Sequence, residues 1–450
     1  MCKPSIRLDY KNIRQTYMTI RRVHLIFMTV LLLVVFPACK SESQKEQVSA
    51  DSFEELVRGD FFEEDEWLDK ERLEVSTAED IENFGDYEEM SSLDAFELSE
   101  VGTDVFADEG ISADDVTETD LLDGGDSIDE YRQWLAGVSC SSTPPEGAKL
   151  AASFPSYSGG QCPVLVAGMN DFVSYGVNRR FLLAVPSNPT PEESYPVLFM
   201  YHWLKGSASS FYKKGEVQMA VDQQRFIAVI PEAKGDLDLF GLIDLPWPIL
   251  SFTPDSRFEE EFRFFDDMLA CVSQQFPVNK ECVSAVGVSA GALFVVQLAG
   301  ARSEHLSSYI SLSGGTQSDG ASNLFIKPYK KPEHKLPALV LWGGPLDSCA
   351  LLNFQLASIA LEDHLIEDGQ FFVECIHNCR HGEPPVDAPE GQSKYAAIWE
   401  FAFTHPFWLK AGESPIIVTG IPSHWPSWCG IGKGSAIPRT GDCPEPGCPL

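Results

Sequence analysis

Between residues 181 and 373 the chain repeats one unit, a short apolar run followed by a longer amphipathic stretch. That alternation limits the folds open to it. The runs occupy residues 181–185, 197–201, 226–230, 283–286, 309–312, 338–342 and 371–373. Each is apolar throughout and does not alternate, as expected of strands covered on both faces. The clearest stretch between them is 258–275, where Phe262, Phe265, Met268, Leu269 and Val272 recur at helical spacing. Strands parted by helices predict an α/β domain, a mostly parallel sheet with helices on both faces.

The rest of the chain is set apart by charge. Residues 41–130 hold thirty-three acids and four bases, so this stretch carries most of the net charge of −34. An acid excess of this size excludes nucleic acid as a partner, because phosphate binding needs clustered Lys and Arg. Without hydrophobic periodicity, residues 39–136 read as a disordered acidic tether. Aromatic residues among the acids (Phe53, Phe61, Phe62, Trp67, Phe84, Tyr87, Phe96) leave open a segment that folds on binding. Ahead of the tether, Arg21 and Arg22 precede a run of about fourteen apolar residues that ends before Pro37, Ala38 and Cys39. A basic region, a short apolar core and a small residue at the boundary describe a signal peptide over residues 1–38. Ala38-Cys39 resembles the lipobox of bacterial lipoproteins, which implies lipid attachment at Cys39. Lys40 stands where an Asp would retain such a protein in the inner membrane, so the resemblance implies the outer membrane. Soluble export and a single-pass anchor are the alternatives, although fourteen residues make only ~21 Å of helix against a ~30 Å hydrocarbon core.

Ten cysteines follow Cys39, an even number that reads as a disulfide framework in an oxidising compartment. The pattern Cys375-x-His377-x-Cys379-x-His381 admits zinc on paper. On an extended chain the four ligands would spread over roughly 20 Å, so no metal is expected, and no organic cofactor is implied.

The chemistry concentrates at Gly287-Val288-Ser289-Ala290-Gly291, placed after one apolar run and before a helical stretch. A strand-to-helix turn this tight needs small residues at 287 and 291 and projects the serine hydroxyl. The helix start then offers the Ala290 N–H to a developing oxyanion. A nucleophilic serine needs a base and an orienting acid, which α/β-hydrolases supply in the order Ser, Asp or Glu, His. Asp347 lies just past the run 338–342, with Glu383 and Asp363 as competing acids. Past the run 371–373, His377 and His381 compete as base; His381 lies deeper in the loop, beside Gly382 and Pro384. Upstream, His202 and Trp203 end the run 197–201, where a second oxyanion N–H is expected.

Taken together, residues of about 160–410 resemble the secreted esterases that include polyhydroxybutyrate depolymerases and feruloyl or acetylxylan esterases. The matching pieces are the His202 strand end, Ile230-Pro231-Glu232-Ala233, Gly-Val-Ser289-Ala-Gly, Trp342-Gly-Gly-Pro-Leu-Asp347 and Cys379-Arg-His381-Gly-x-Pro384. The resemblance implies an α/β-hydrolase fold and a catalytic triad of Ser289, Asp347 and His381. It also implies a backbone oxyanion hole at Trp203 and Ala290, and an ester substrate, whether a polyester or a cell-wall ester. Trp203 stands where the family has glycine, which reshapes the acyl pocket. The expected organisation is signal peptide 1–38, tether 39–136, esterase domain 137–412 and a Cys/Pro-rich extension 413–450. A serine peptidase on the same fold and a catalytically inactive surface lipoprotein are the alternatives to an esterase.

Overall fold

The computed structural model describes residues 123–443 and 448, apart from residues 191, 240, 242 and 321. The expected signal peptide, Cys39 and the tether as far as residue 122 lie outside the described residues. In chain order the strands are β1 (Gly168–Ser174), β2 (Val177–Ala184), β3 (Tyr195–Tyr201), β4 (Ile227–Pro231), β5 (Leu237–Leu239), β6 (Ile243–Leu245) and β7 (Val278–Val288). They continue with β8 (Ser308–Leu312), β9 (Ala338–Trp342), β10 (Ser348–Cys349), β11 (Leu352–Asn353), β12 (Phe372–Ile376) and β13 (Cys429–Ile431). Nine of these described strands form one sheet in the order β1-β2-β4-β3-β7-β8-β9-β12-β13, while β5-β6 and β10-β11 are small separate hairpins. From β4 to β12 every neighbouring pair is parallel; the pairs β1-β2 and β2-β4 at one edge and β12-β13 at the other are antiparallel.

The helices are α1 (Asp123–Ala136), α2 (Ala208–Lys214), α3 (Val217–Gln224), α4 (Asp255–Gln275), α5 (Ala290–Ala301), α6 (Phe354–Glu367), α7 (Ala396–Phe403) and α8 (Pro415–Thr419). Successive strand residues face opposite sides of the sheet, so an all-apolar strand feeds two cores. On one side Val197 and Phe199 pack with Phe265 of α4, Leu293 of α5 and Leu361 of α6. On the other, Leu198 and Met200 pack with Phe211 of α2, Val221 of α3 and Trp399 of α7. Each such side chain, fully buried, contributes roughly 1.5–3 kcal/mol. The apolar runs of the sequence therefore mark the doubly covered strands, while edge strands β1 and β13 carry no such run. No helix among the described residues is long and apolar enough to cross a membrane.

One feature departs from expectation. Residues 123–136, counted with the tether, form α1, and Leu135 is buried in a small cluster with Val138, Trp408 and Leu409. A few apolar residues in an acidic background are enough to dock a helix end, which segment composition does not register. The ten cysteines expected to form a disulfide framework do so, in the pairs Cys140–Cys282, Cys162–Cys271, Cys349–Cys448, Cys375–Cys429 and Cys379–Cys443. Cys375 and Cys379 thus enter different bridges. Trp247, Trp425 and Trp428 are packing residues, all buried.

Candidate active site

The C-terminal ends of β3, β7, β9 and β12 converge on one rim of the sheet, where open α/β folds bind their ligands. Ser289 sits between β7 and α5 with φ +55° and ψ −117°, a conformation that costs of order 1–3 kcal/mol and persists only when its surroundings enforce it. The enforcement is visible on both flanks. A Cβ on Gly287 would lie 2.2 Å from the Gly291 carbonyl oxygen, and one on Gly291 would lie 2.1 Å from that of Tyr201. Only glycine lets α5 approach β7 and β3 this closely. The Ser289 N–H donates to the Leu312 carbonyl at 2.8 Å, fixing the turn against the end of β8.

His381 reaches the serine from the loop after β12. Its Nε2 is 2.8 Å from Ser289 Oγ, and its Nδ1 is 2.6 Å from Asp347 Oδ1. Asp347, fully buried, accepts the Gly343 N–H on its other oxygen at 2.7 Å. With a proton on Nδ1 shared with Asp347, Nε2 is the acceptor for the serine hydroxyl. Phe354, at the start of α6, stacks on the imidazole with centroids 4.0 Å apart. The acid and base loops also touch through backbone: Arg380 N–H donates to Gly343 O at 3.0 Å, and a Cβ on Gly343 would lie 1.7 Å from Arg380 O.

The competing residues lie elsewhere. His377 is buried, with Nδ1 accepting the Cys379 N–H at 3.1 Å, and burial pulls its pKa down to about 4. Glu383 is engaged by Lys394, by Tyr395 at 2.6 Å and by Lys214 at 3.7 Å. Asp363 pairs with Lys433.

At the end of β3, His202 is buried and braces the loop. Its Nδ1 lies 3.0 Å from the Trp203 carbonyl and its Nε2 3.4 Å from the Ala233 N–H. Those partners put the proton on Nδ1, and burial lowers its pKa, favouring the neutral ring. The His202 carbonyl accepts the Trp247 indole N–H at 2.8 Å. Across from it, Ala290 is the first residue of α5, so its N–H is one of the helix-start donors with no intrahelical acceptor. Ser289 and His381 open onto a pocket of about 170 Å³ lined chiefly by Trp203, Leu204, Phe211, Leu312, Leu341 and Trp399. It is smaller than the roughly 300–1,000 Å³ of sites for drug-sized ligands.

Sequence reasoning missed three contributors. Phe354 carries no polar signal, and its contact with His381 comes from the close approach of α6. Glu232, within the quoted Ile-Pro-Glu-Ala segment, accepts the Ala208 N–H at 3.0 Å and lies 3.8 Å from His202. Cys349 lines the pocket, which its spacing from other cysteines does not reveal.

No family model matches the sequence, and no curated protein matches it. Among solved structures, native pOPH is similar over 62% of this chain and 99% of its own, with 15% identity and a TM-score of 0.50. Native sOPH matches over 66% and 99% with 17% identity and a TM-score of 0.49. A ferulic acid esterase matches over 52% and 96% with 15% identity and a TM-score of 0.39. The likeness to pOPH shows the fold alone, a mostly parallel α/β-hydrolase sheet with helices on both faces.

Proposed function

We propose that this chain is an exported serine esterase that hydrolyses short carboxylic esters by acyl transfer. The observation that supports it most is the hydrogen-bonded relay Ser289–His381–Asp347 opening onto an apolar pocket. In this reading His381 Nε2 takes the Ser289 proton as Oγ attacks the ester carbonyl, and Asp347 stabilises the imidazolium that forms. The Ala290 and Trp203 N–H groups hold the oxyanion. The imidazolium returns its proton to the leaving alcohol. A water deprotonated by the same histidine then attacks the acyl-enzyme, releasing the acid and restoring Ser289. Substrates are esters with a compact acyl part, such as units of a polyester or cell-wall esters, because Trp203 and Trp399 narrow the pocket.

Five disulfides support export, since such bridges persist in oxidising compartments. The further proposal is that Cys39 carries the lipid and that the acidic stretch after it holds the hydrolase domain clear of an outer membrane. The test is labelling of the whole protein with a fluorophosphonate, peptide mapping, and assay on a short p-nitrophenyl ester. Label on Ser289 with ester turnover is the expected result. Label with cleavage of dipeptidyl amides in preference to esters would make it a peptidase. No label and no turnover would leave an inactive surface protein.

A further inference from the structure

The loops that carry Asp347 and His381 are both bonded to one C-terminal segment. Cys349, two residues past Asp347, is joined to Cys448; Cys379, two residues before His381, is joined to Cys443. Between β13 and Cys443, Arg439 and Gly441 meet the end of β12 and the loop after it. Arg439 N–H donates to the Ile376 carbonyl at 2.9 Å, and its Nη1 donates to Asn378 Oδ1 at 2.7 Å. Asn378 Nδ2 donates to the Gly441 carbonyl at 2.7 Å.

The backbone beside both bridges is left-handed. Ala350 (φ +48°) and Leu351 (φ +75°) follow Cys349, and Arg380 (φ +57°) separates Cys379 from His381. They are three of nine non-glycine residues with positive φ among the described residues. Such conformations persist only where neighbouring structure over-determines them. At these two loops a covalent bond adjoins each strained stretch.

We infer that Arg439, Gly441 and the two bridging cysteines Cys443 and Cys448 act as a strap that holds the acid and base loops in register, with Cys443 and Cys448 as positioning residues for His381 and Asp347. The inference rests on the proposed triad. A displacement of about 1 Å in such a constellation can lower the rate on the order of a hundredfold, so fixing two loops against one segment keeps the relay preformed.

The test uses the full chain in three forms: Cys379→Ser/Cys443→Ser, Cys349→Ser/Cys448→Ser, and Cys140→Ser/Cys282→Ser as a bridge remote from the triad loops. Each is read by kcat and KM on a short p-nitrophenyl ester and by near-UV circular dichroism. The low-field proton resonance of the His381–Asp347 hydrogen bond is the third readout. For the two strap variants the expectation is a native dichroism spectrum, loss of the resonance, and kcat lower by about tenfold or more at little changed KM. The remote variant should melt earlier but keep kcat and the resonance. Strap variants that keep both, or that lose kcat only in proportion to their unfolded fraction, would overturn the inference. If a strap variant fails to fold, brief dithiol reduction of the folded enzyme with thiol mapping makes the same comparison. Activity and resonance should then fall as the 379–443 and 349–448 bridges open and return on reoxidation; survival of both would refute the strap. A wild type that gives the resonance but takes no fluorophosphonate would refute the triad's catalytic role and leave the strap standing. A labelled wild type whose resonance ignores the bridges would do the reverse.

Discussion

At the scale of single residues, Ser289 is held in a strained conformation by two glycines, and that gives the site its sharpest tests. Ser289→Ala removes one oxygen at a turn fixed by its neighbours. It should leave the near-UV spectrum native while lowering kcat by roughly 10⁴–10⁶. Gly291→Ala should act differently. Its methyl would meet the Tyr201 carbonyl at 2.1 Å and push the strand end that leads to Trp203, so stability and kcat should fall together. The kcat loss should approach the ~10²–10³ expected when an oxyanion donor is displaced. His381→Ala should approach Ser289→Ala in severity, with Asp347→Asn leaving more residual rate. His377→Ala instead removes the acceptor for the Cys379 N–H, which predicts about 1–3 kcal/mol of lost stability with most of the fluorophosphonate reactivity kept. The reverse ranking of the two histidines would exchange their roles. That Ser289, His381 and Asp347 would meet was legible because motif, strand end and chain order coincide on them. Phe354 was not, since an apolar residue at a helix start looks the same whether it packs on a core or on an imidazole.

Between elements, the parallel strands were legible because burial on both faces leaves an unbroken apolar run. The edge strands were not. β1 buries every other residue along its second half, and β13 is three residues whose Cys429 pairs with Cys375 in the ladder and in a disulfide. Also hidden was a buried acid pair between α6 and β12. Glu362 takes the Trp342 indole N–H at 3.2 Å and is coupled electrostatically to Glu374, which accepts the Gly434 N–H at 2.9 Å and the Ala436 N–H at 3.4 Å. Burial first, then the Glu374 charge, lifts Glu362 from 4.5 to about 8, with Lys433 opposing. An acid raised in the folded state stabilises fully below its unfolded value, and that contribution is lost as pH rises through about 8. His334, His377 and His405 work in the other direction. Burial lowers each to about 4, so their contribution is present above 6.5 and lost as pH falls. Above 6.5 the histidine slope has flattened and the Glu362 slope remains. Melting temperatures measured across that range should therefore decline in the wild type and stay nearly level in Glu362→Gln. Parallel profiles would show that Glu362 is not raised.

On the scale of the whole molecule, charge and core are segregated along the chain, and the transition between them can be located by truncation. The sequence places the boundary at residue 137 on composition, where the acids thin out. The structure puts α1 ahead of it, with Leu135 buried against Trp408 and Leu409, Trp134 beside Trp408 at 5.9 Å, and the Tyr131 hydroxyl donating to Glu413 at 2.5 Å. Composition averages over a window and cannot weigh three apolar contacts made by a helix end. A chain beginning at Asp123 keeps all of these contacts and sheds most of the acidic excess, so its kcat and denaturation midpoint should match those of the full protein. A chain beginning at Gly137 exposes the Trp408–Leu409 surface. Losing Leu135 and part of Trp134 should lower its stability by about 2–4 kcal/mol in urea titration. Because α1 docks on the segment after α7 and touches no residue of the Ser289 relay, kcat of the shorter chain should survive wherever it remains folded. Should the chain from Asp123 already lose that stability, residues before α1 must pack on the α/β domain, and the reading of them as a free tether would fail.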